Sequence, residues 1–467
     1  MAPKGSEIAG GYKGVSRATT EKHMKQKINV GIIGLGTVGS GAFRILRDNA
    51  ELIRHRVGVP VEVTKIAVRD ATRDRGVAIP AGVLTTNPSQ VIDDPNIDIV
   101  IELIGGYEPA RELILAAIAR GKHVVTANKA LLAADGAEIH EAARRAGVSI
   151  GYEASVGGGI PVIKALKEAL AANRILSIYG IINGTSNYIL TKMTEEERSF
   201  ADVLAEAQRA GYAEADPTFD VGGIDTAHKL AILVNLAFGA HVNLKDIYTE
   251  GITLISPLDI DFGKVLGYKL KLLAIAKMHE GGQAEARVHP TMVPDDYPIA
   301  KVAGVYNAIQ IVGNACDDIM LYGRGAGSMP TGSAVVADVM DIARRQILIE
   351  PSRRAQPPLL ELPARNATSD AALALQPMES IVSLYYFRFM ALDQPGVLAQ
   401  ISGILGRHRI SIAQMIQRGR KQGGSVPLVI MTHKALERDI QKALVEIKSL
   451  SCITEDPILI RVEGEEP

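Results

Sequence analysis

Four carboxylates and a lysine are gathered in one stretch, Gly211 to Lys229, as Glu214, Asp216, Asp220, Asp225 and Lys229. Its first part, to Gly223, is rich in glycine, proline and acids and reads as a loop, whereas Ile224, Ala227, Leu230, Ala231 and Val234 recur at helical spacing. Asp225 and Lys229 are four apart at the start of that helix, so they share a face and the carboxylate can hold the ammonium group. Acids around a lysine suit a site that binds a cationic substrate and moves one proton through a positioned amine. An ordinary helix ion pair beside a solvated acidic loop satisfies the same spacing. A calcium loop does not, because the glycine and the terminal glutamate of an EF-hand are missing from their positions.

A second chemical signal lies upstream. The apolar run from Ile28 leads straight into Gly34-Leu-Gly36-Thr37-Val38-Gly39 and then a helix to about Leu52. Strand, G-x-G-x-x-G and helix together are the dinucleotide fingerprint: Gly34 for the tight turn, Gly36 for close approach of a pyrophosphate, Gly39 for helix against strand. The second strand, Val61 to Val68, ends in Arg69-Asp70. Arg69 favours a ribose 2′-phosphate and Asp70 a free 2′-hydroxyl, so NADP and NAD both stay open, with the lean toward NADP.

The elements that must carry these groups alternate strand and helix as far as about residue 150: Ile97 to Leu103, Pro109 to Arg120, His123 to Thr126, a helix to Arg145, and Val148 to Ile150. That order predicts a Rossmann-type, doubly wound parallel sheet. Asn128 and Lys129 follow one of its strands at the edge where open α/β sheets place ligands, so Lys129 is a second candidate amine. Glu153 to Pro161 is a glycine-rich loop whose carbonyls and amides are expected to face a ligand or ion.

Beyond residue 160 the pattern becomes mixed, with strands at Leu176 to Ile182 and Val302 to Val312. Asn183-Gly184-Thr185 opens a helix and offers a cap or a substrate contact. Gly327 belongs to a second glycine-rich loop, before a helix from Ala334 to Arg345 that is expected to return to the cofactor domain. Residues 346–380 carry five prolines and read as a linker. The remainder, 381–467, has the order βαββαβ of a ferredoxin-like module.

The totals narrow the function. A length of 467 residues with 47% hydrophobic content allows several cores. A formal charge of −1 gives no electrostatic footprint for nucleic acid. No apolar run approaches the roughly 18 residues of a membrane span. Two cysteines, Cys316 and Cys452, make neither a zinc set nor a disulfide framework and suit a cytoplasmic protein. Residues 1–26 lack an apolar signal core and read as a mobile arm.

The fingerprint, Thr126 to Ala130, Glu153 to Pro161, Gly180 to Tyr188 and above all Gly211 to Lys229 together resemble homoserine dehydrogenase, in the long monofunctional form that ends in an ACT domain. The resemblance spans nearly everything from Ile28 to Val462. It implies NAD(P)-dependent interconversion of L-homoserine and L-aspartate 4-semialdehyde, on the route to threonine, methionine and isoleucine. It further implies that Lys229 and Lys129 stand at the reacting carbon, oriented by Asp225, with Glu214, Asp220, Asn183, Gly184 and Thr185 at the substrate. Gly34, Gly36, Thr37, Val38, Gly39, Arg69, Lys129 and Gly327 are expected at the cofactor. A sodium or potassium ion is implied at Glu153, Val156, Gly158 and Ile160, mainly on backbone carbonyls. Residues 27–155, completed by about 321–345, would bind the dinucleotide and 156–320 would hold the catalytic and dimerisation domain. A homodimer or homotetramer, and threonine as an effector on the ACT domain, follow from the same resemblance.

Two rivals are weaker. A phosphorylating semialdehyde dehydrogenase needs a nucleophilic cysteine, yet Cys316 lies beside Asp317 and Asp318, which oppose a thiolate. A non-catalytic amino-acid sensor acting on DNA needs a basic face, which the balanced charge does not provide.

Overall fold

The structure is a computed structural model and describes residues 25–239, 242–348, 375–419 and 424–465. Nearly all of the expected N-terminal arm and most of the proline-rich linker, Pro351 to Pro363 included, lie outside the described residues.

The first unit runs β1 (Ile28–Ile33), α1 (Thr37–Asp48), α2 (Ala50–Val57), β2 (Val61–Ala67), β3 (Leu84–Thr85), α3 (Ser89–Ile92), β4 (Ile99–Glu102), α4 (Ala110–Ala119), β5 (His123–Thr126), α5 (Lys129–Ala146) and β6 (Ile150–Gly151). The helix expected to reach Leu52 breaks at Asn49, which leaves helical geometry and divides it into α1 and α2. The strands pair in parallel in the order β3-β2-β1-β4-β5-β6. β1 therefore has β2 on one side and β4 on the other, and the winding reverses there, so the crevice for a ligand opens beyond the carboxyl ends of these two strands. All four residues of β4 are buried, as a strand covered by helices on both faces requires.

The second unit continues with α6 (Val162–Lys164), β7 (Ile175–Ile181), α7 (Gly184–Glu196), α8 (Phe200–Arg209), α9 (Thr218–Val221), α10 (Ile224–Phe238), β8 (Tyr248–Thr249), α11 (Pro257–Leu266), β9 (Tyr268–Met278), β10 (Ala284–Pro294), β11 (Tyr306–Gly313) and β12 (Asp317–Arg324). Ten consecutive residues of α10, Asp225 to Val234, are buried. The apolar periodicity suggested one buried face, but a helix apolar nearly all round is enclosed, and its polar residues go in with it.

α12 (Ser328–Leu348) then returns to the first unit. It starts earlier than Ala334 because Pro330 sits in the first turn, where its missing N–H costs no hydrogen bond. The return is tight: a Cβ on Gly41 of α1 would stand 2.0 Å from the Ser328 carbonyl oxygen, and one on Gly332 2.7 Å from the Ala42 nitrogen.

The last unit is β13 (Val382–Leu392), α13 (Val397–Arg407), β14 (Ile412–Gln417), β15 (Ser425–Thr432), β16 (Ala435–Leu436), α14 (Glu437–Lys448) and β17 (Ile458–Val462). Its main strands lie in the order β17-β13-β15-β14, the ferredoxin-like arrangement read from the sequence. It is not a separate appendage. β17 pairs in parallel with β10 through Thr291–Arg461 and Met292–Val462, so one sheet of eleven strands among the described residues runs through both units. Arg388 of β13 also reaches Asp259 of α11, with Nε to Oδ1 at 2.7 Å, and the carboxylate is fully buried.

Candidate active site

Asp225 is the hub. Its Oδ1 lies 2.7 Å from the Lys129 ammonium and its Oδ2 lies 2.6 Å from that of Lys229. Lys229 also donates to the Ile182 carbonyl at 2.7 Å. The Asp225 and Lys229 side chains are only 4% and 11% exposed, which decides between the two readings of this pair. A solvated helix ion pair would be screened and worth little; this one is a desolvated triad in which two cations share one anion.

Burial opposes the charge on Asp225, yet the Lys229 and Lys129 ammonium groups outweigh it and hold the carboxyl well below its usual range. Burial pulls Lys229 the other way: desolvation lowers its pKa, Asp225 resists, and the second ammonium adds to the lowering. The outcome is an amine that gives up its proton more readily than a free lysine, as a group that must donate and recover a proton requires.

Each member is placed by a different part of the fold. Lys129 is the first residue of α5, at the carboxyl end of β5, and Asn128 caps that helix by accepting from the Leu131 amide at 3.2 Å. Glu102, missed in the sequence, holds this corner: one oxygen accepts from the Thr126 hydroxyl at 2.6 Å and the other from the Ile104 amide at 2.8 Å. A carboxylate ending an otherwise apolar strand at the ligand edge was the available signal. Phe219 was also missed; its ring lies 5.9 Å from the Lys129 ammonium.

Asn183 does two tasks where capping needs one. Its oxygen accepts from the Ser186 amide at 2.8 Å and so caps α7, while its nitrogen donates to Asp220 at 2.7 Å and to Asp225 at 2.9 Å. Asp220 is thereby drawn into the cluster. Gly184 is hemmed in, since a Cβ there would stand 2.9 Å from the Val305 carbonyl oxygen. The Thr185 hydroxyl donates to the Tyr212 carbonyl at 2.8 Å and ties down the acidic loop. Glu214 is exposed on that loop, and its carboxylate has no hydrogen bond among the described residues.

At the fingerprint, Gly34 has φ +101° and Gly36 has open space where a Cβ would be, while a Cβ on Gly39 would stand 2.3 Å from the Gly34 oxygen. No side chain caps α1 and its first turn holds no acid, so its leading amides are available to an anion. These features fit a dinucleotide pyrophosphate against Gly34 to Gly39. Gly327, at φ +130°, precedes the turn of α12 that packs on α1. Arg69 and Asp70 are exposed, and the Asp70 carboxylate accepts from the Thr72 amide at 2.8 Å and hydroxyl at 2.6 Å, holding its own turn.

The loop from Glu153 is enclosed by protein over most of its length. All of Glu153 to Gly158 is buried, because Gly325 closes over it: a Cβ on Gly158 would stand 2.4 Å from the Gly325 oxygen. The Glu153 carboxylate accepts from the Ile163 and Lys164 amides at 2.8 Å. Burial pushes the neighbouring Asp338 carboxyl up to about 7.

Sequence comparison agrees with this geometry. Residues 34–153 match the profile described as Homoserine dehydrogenase, NAD binding domain, residues 161–340 match Homoserine dehydrogenase, and residues 385–452 match ACT domain. The homoserine dehydrogenase of Pseudomonas aeruginosa is 48% identical over 93% of this chain and 99% of its own. A crystal structure of a homoserine dehydrogenase from Thiobacillus denitrificans superposes with a TM-score of 0.86 at 47% identity, over 94% of this chain and 98% of that one. A hyperthermophilic archaeal homoserine dehydrogenase in complex with NADPH matches 68% of this chain and 98% of its own, with a TM-score of 0.58 and 26% identity. With a dinucleotide cradle, a lysine pair on one buried carboxylate and relatives of this identity along nearly all its length, the chain belongs to the homoserine dehydrogenase family, oxidoreductases acting on the CH–OH group of homoserine.

Proposed function

We propose that Lys229 is the proton carrier of the reaction, that Lys129 assists it at the reacting oxygen, and that Asp225 orients both. The observation that carries this is the shared carboxylate, with the two ammonium groups 2.7 and 2.6 Å from its two oxygens. Bound NADP or NAD supplies the nicotinamide that accepts or returns the hydride. In homoserine oxidation neutral Lys229 takes the hydroxyl proton; in aldehyde reduction its ammonium form gives one back. Asp220 and Glu214 receive the substrate's amino group, and the Asn183-Gly184-Thr185 turn meets the rest of it. The carbonyls of Glu153, Val156, Gly158 and Ile160, in a buried turn with two successive glycines in the left-handed region, would hold a sodium or potassium ion. Residues 27–155 with 321–345, 156–320 and 381–467 act as cofactor, catalytic and regulatory units of a cytoplasmic enzyme of threonine, methionine and isoleucine synthesis. Among the described residues no helix is long and apolar enough to cross a membrane.

The enzyme works as a homodimer or homotetramer. Supporting this, β12 is an edge strand whose alternate residues Met320 and Tyr322 are 37% and 55% exposed, a ready site for pairing with another copy.

NADP is the preferred cofactor. The Asp70 carboxylate is engaged with Thr72, whereas no ion pair among the described residues engages Arg69. Arg69→Ala is expected to weaken NADP by roughly tenfold to a hundredfold, the value of a hydrogen bond to a charged group, and NAD far less. Following the absorbance of the reduced nicotinamide with homoserine and either cofactor tests both the activity and this preference. Equal losses would reject the assignment of Arg69.

The ACT domain binds threonine near Gly396, which has φ +91°, caps α13 without a side chain and has open space where a Cβ would stand. Millimolar threonine is expected to inhibit, with a coupling of about 1–3 kcal/mol, and Gly396→Asp to abolish that response while leaving basal turnover intact. Kinetics indifferent to threonine in the full-length protein would remove threonine as the effector.

A further inference from the structure

We propose that Arg461, in the last strand of the ACT domain, is a positioning residue for the active site, acting through Glu250 on the turn between Asp220 and Asp225. The proposal rests on the assignment of those two acids to the site.

Arg461 is buried where β17 joins β10 and makes a set of bonds that crosses the boundary between the domains. Toward its own domain it grips Glu437 with Nε at 3.1 Å and Nη2 at 2.6 Å. Toward the catalytic domain, Nη1 donates to Glu250 Oε2 at 2.6 Å, Nη2 reaches the Tyr248 hydroxyl at 3.2 Å, and the Tyr248 hydroxyl donates to Glu250 at 2.8 Å. The guanidinium also lies over the Tyr248 ring, 4.9 Å from its centre. A planar fork that spends its donors on two carboxylates and a phenol permits few alternative arrangements.

Glu250 continues the path by its backbone. Its amide donates to the Val288 carbonyl at 2.8 Å, and two residues on the Ile252 amide donates to the Val221 carbonyl at 2.9 Å. Between them, Gly251 is pressed against the turn: a Cβ there would stand 2.2 Å from the Val221 oxygen and 2.7 Å from the Gly222 Cα. Gly223 faces the same segment, with a Cβ position 3.3 Å from the Glu250 oxygen. Gly222 and Gly223 are the link between α9, which carries Asp220 and ends at Val221, and the start of α10, which carries Asp225. With no side chains to absorb a shift at Gly251, Gly222 or Gly223, a displacement of Glu250 is passed on to the acids that Asn183 bridges.

A second buried pair between the same domains, Arg388 with Asp259, provides the control. It anchors β13 to the capped start of α11, and it meets the turn only at one remove, through the Ile255 amide on the Ile252 carbonyl at 3.1 Å.

The test uses the full-length enzyme and the variants Arg461→Met, Glu250→Gln, Glu250→Asp and Arg388→Met, each with kcat, KM for homoserine, KM for NADP and Tm. Arg461→Met and Glu250→Gln are expected to lose roughly three- to thirtyfold in kcat/KM for homoserine, the range for mutations that alter coupling without touching ligand, and to keep the NADP KM. Glu250→Asp, which retains the charge, should recover part of that loss. Arg388→Met should lower Tm and cost less than about threefold in kcat/KM for homoserine. The proposal fails if folded Glu250→Gln has wild-type homoserine kinetics, or if Arg388→Met shows the same kinetic loss, since general loosening would then explain both. Should Arg461→Met not fold, the partly exposed Glu250 variants decide alone. If Lys229→Met retains turnover, the assignment of the site falls first and independently of Arg461.

Discussion

Lys229→Met is expected to lower kcat for homoserine oxidation by roughly 10²- to 10⁴-fold, the contribution of a positioned proton acceptor, with the NADP KM nearly unchanged. Methionine keeps the length of the side chain and removes the one group that bonds both Asp225 and the Ile182 carbonyl. Lys129 still neutralises Asp225 in the variant, so the fold should persist. The pH profile separates this role from a packing role. With Lys229 as the proton acceptor, homoserine oxidation needs its neutral form, and burial lowers its pKa from the ordinary lysine value. Oxidation in the wild type should therefore rise as pH passes upward through that lowered pKa, and reduction of the aldehyde should fall through the same value. The variant should lose this inflection in both directions. Wild-type turnover, or an unchanged inflection in a folded variant, would sink the assignment.

Asp225→Asn should damage activity and stability together. The amide keeps the shape but removes the charge that both ammonium groups share, and turns an N–H₂ toward at least one of them. Breaking a buried ion pair from one side costs about 3–5 kcal/mol, because the partner is left charged and desolvated or must give up its proton. Lys229 is the more deeply buried partner, with 11% of its side chain exposed against 34% for Lys129, so it should neutralise first. An amine already neutral cannot supply the proton for aldehyde reduction, and kcat in that direction should drop by about 10²-fold or more. The sign of the pH effect on stability follows from the depressed pKa of Asp225. Its contribution is full above the unfolded value of about 3.9 and is lost as pH falls through the lower folded value. The stability gap between wild type and variant, measured by urea unfolding, should therefore be wide at neutral pH and narrow as the pH falls below about 4. A gap that stays constant would mean that Asp225 is not ionised in the folded enzyme.

The elements of the cofactor domain were legible because each obeys a local rule. His123 to Thr126 was read to the residue, as a strand in the alternating order of strand and helix. Helix starts were less so. Pro330 and the capping geometry of Gly327 place the start of α12 at Ser328, six residues before the apolar pattern becomes continuous. The glycines of Glu153 to Pro161 were read as backbone offered to a ligand or ion; Gly157 and Gly158 are buried, and Gly158 lies against Gly325, more than 160 positions away. Glycine content reports that backbone will come close to something; it does not say whether that is ligand, solvent or another part of the chain.

By itself the sequence determined which groups are the candidates for the chemistry: a lysine one helical turn after an acid, a second lysine after a parallel strand, and a phosphate cradle of three glycines. These are local spacings, set by helix and strand geometry, and they survive any arrangement of the domains. Only the tertiary structure decided that Lys129 and Lys229, a hundred residues apart, meet on the two oxygens of Asp225, and that the cluster is buried deeply enough to depress a lysine pKa. It also decided that the ACT domain, read from its prolines and its βαββαβ order as a unit behind a linker, shares its sheet with the catalytic domain through β17 and β10. The reason is physical: desolvation depends on everything that covers a group, and strand pairing on which edge is free, and neither is a property of neighbours in the chain.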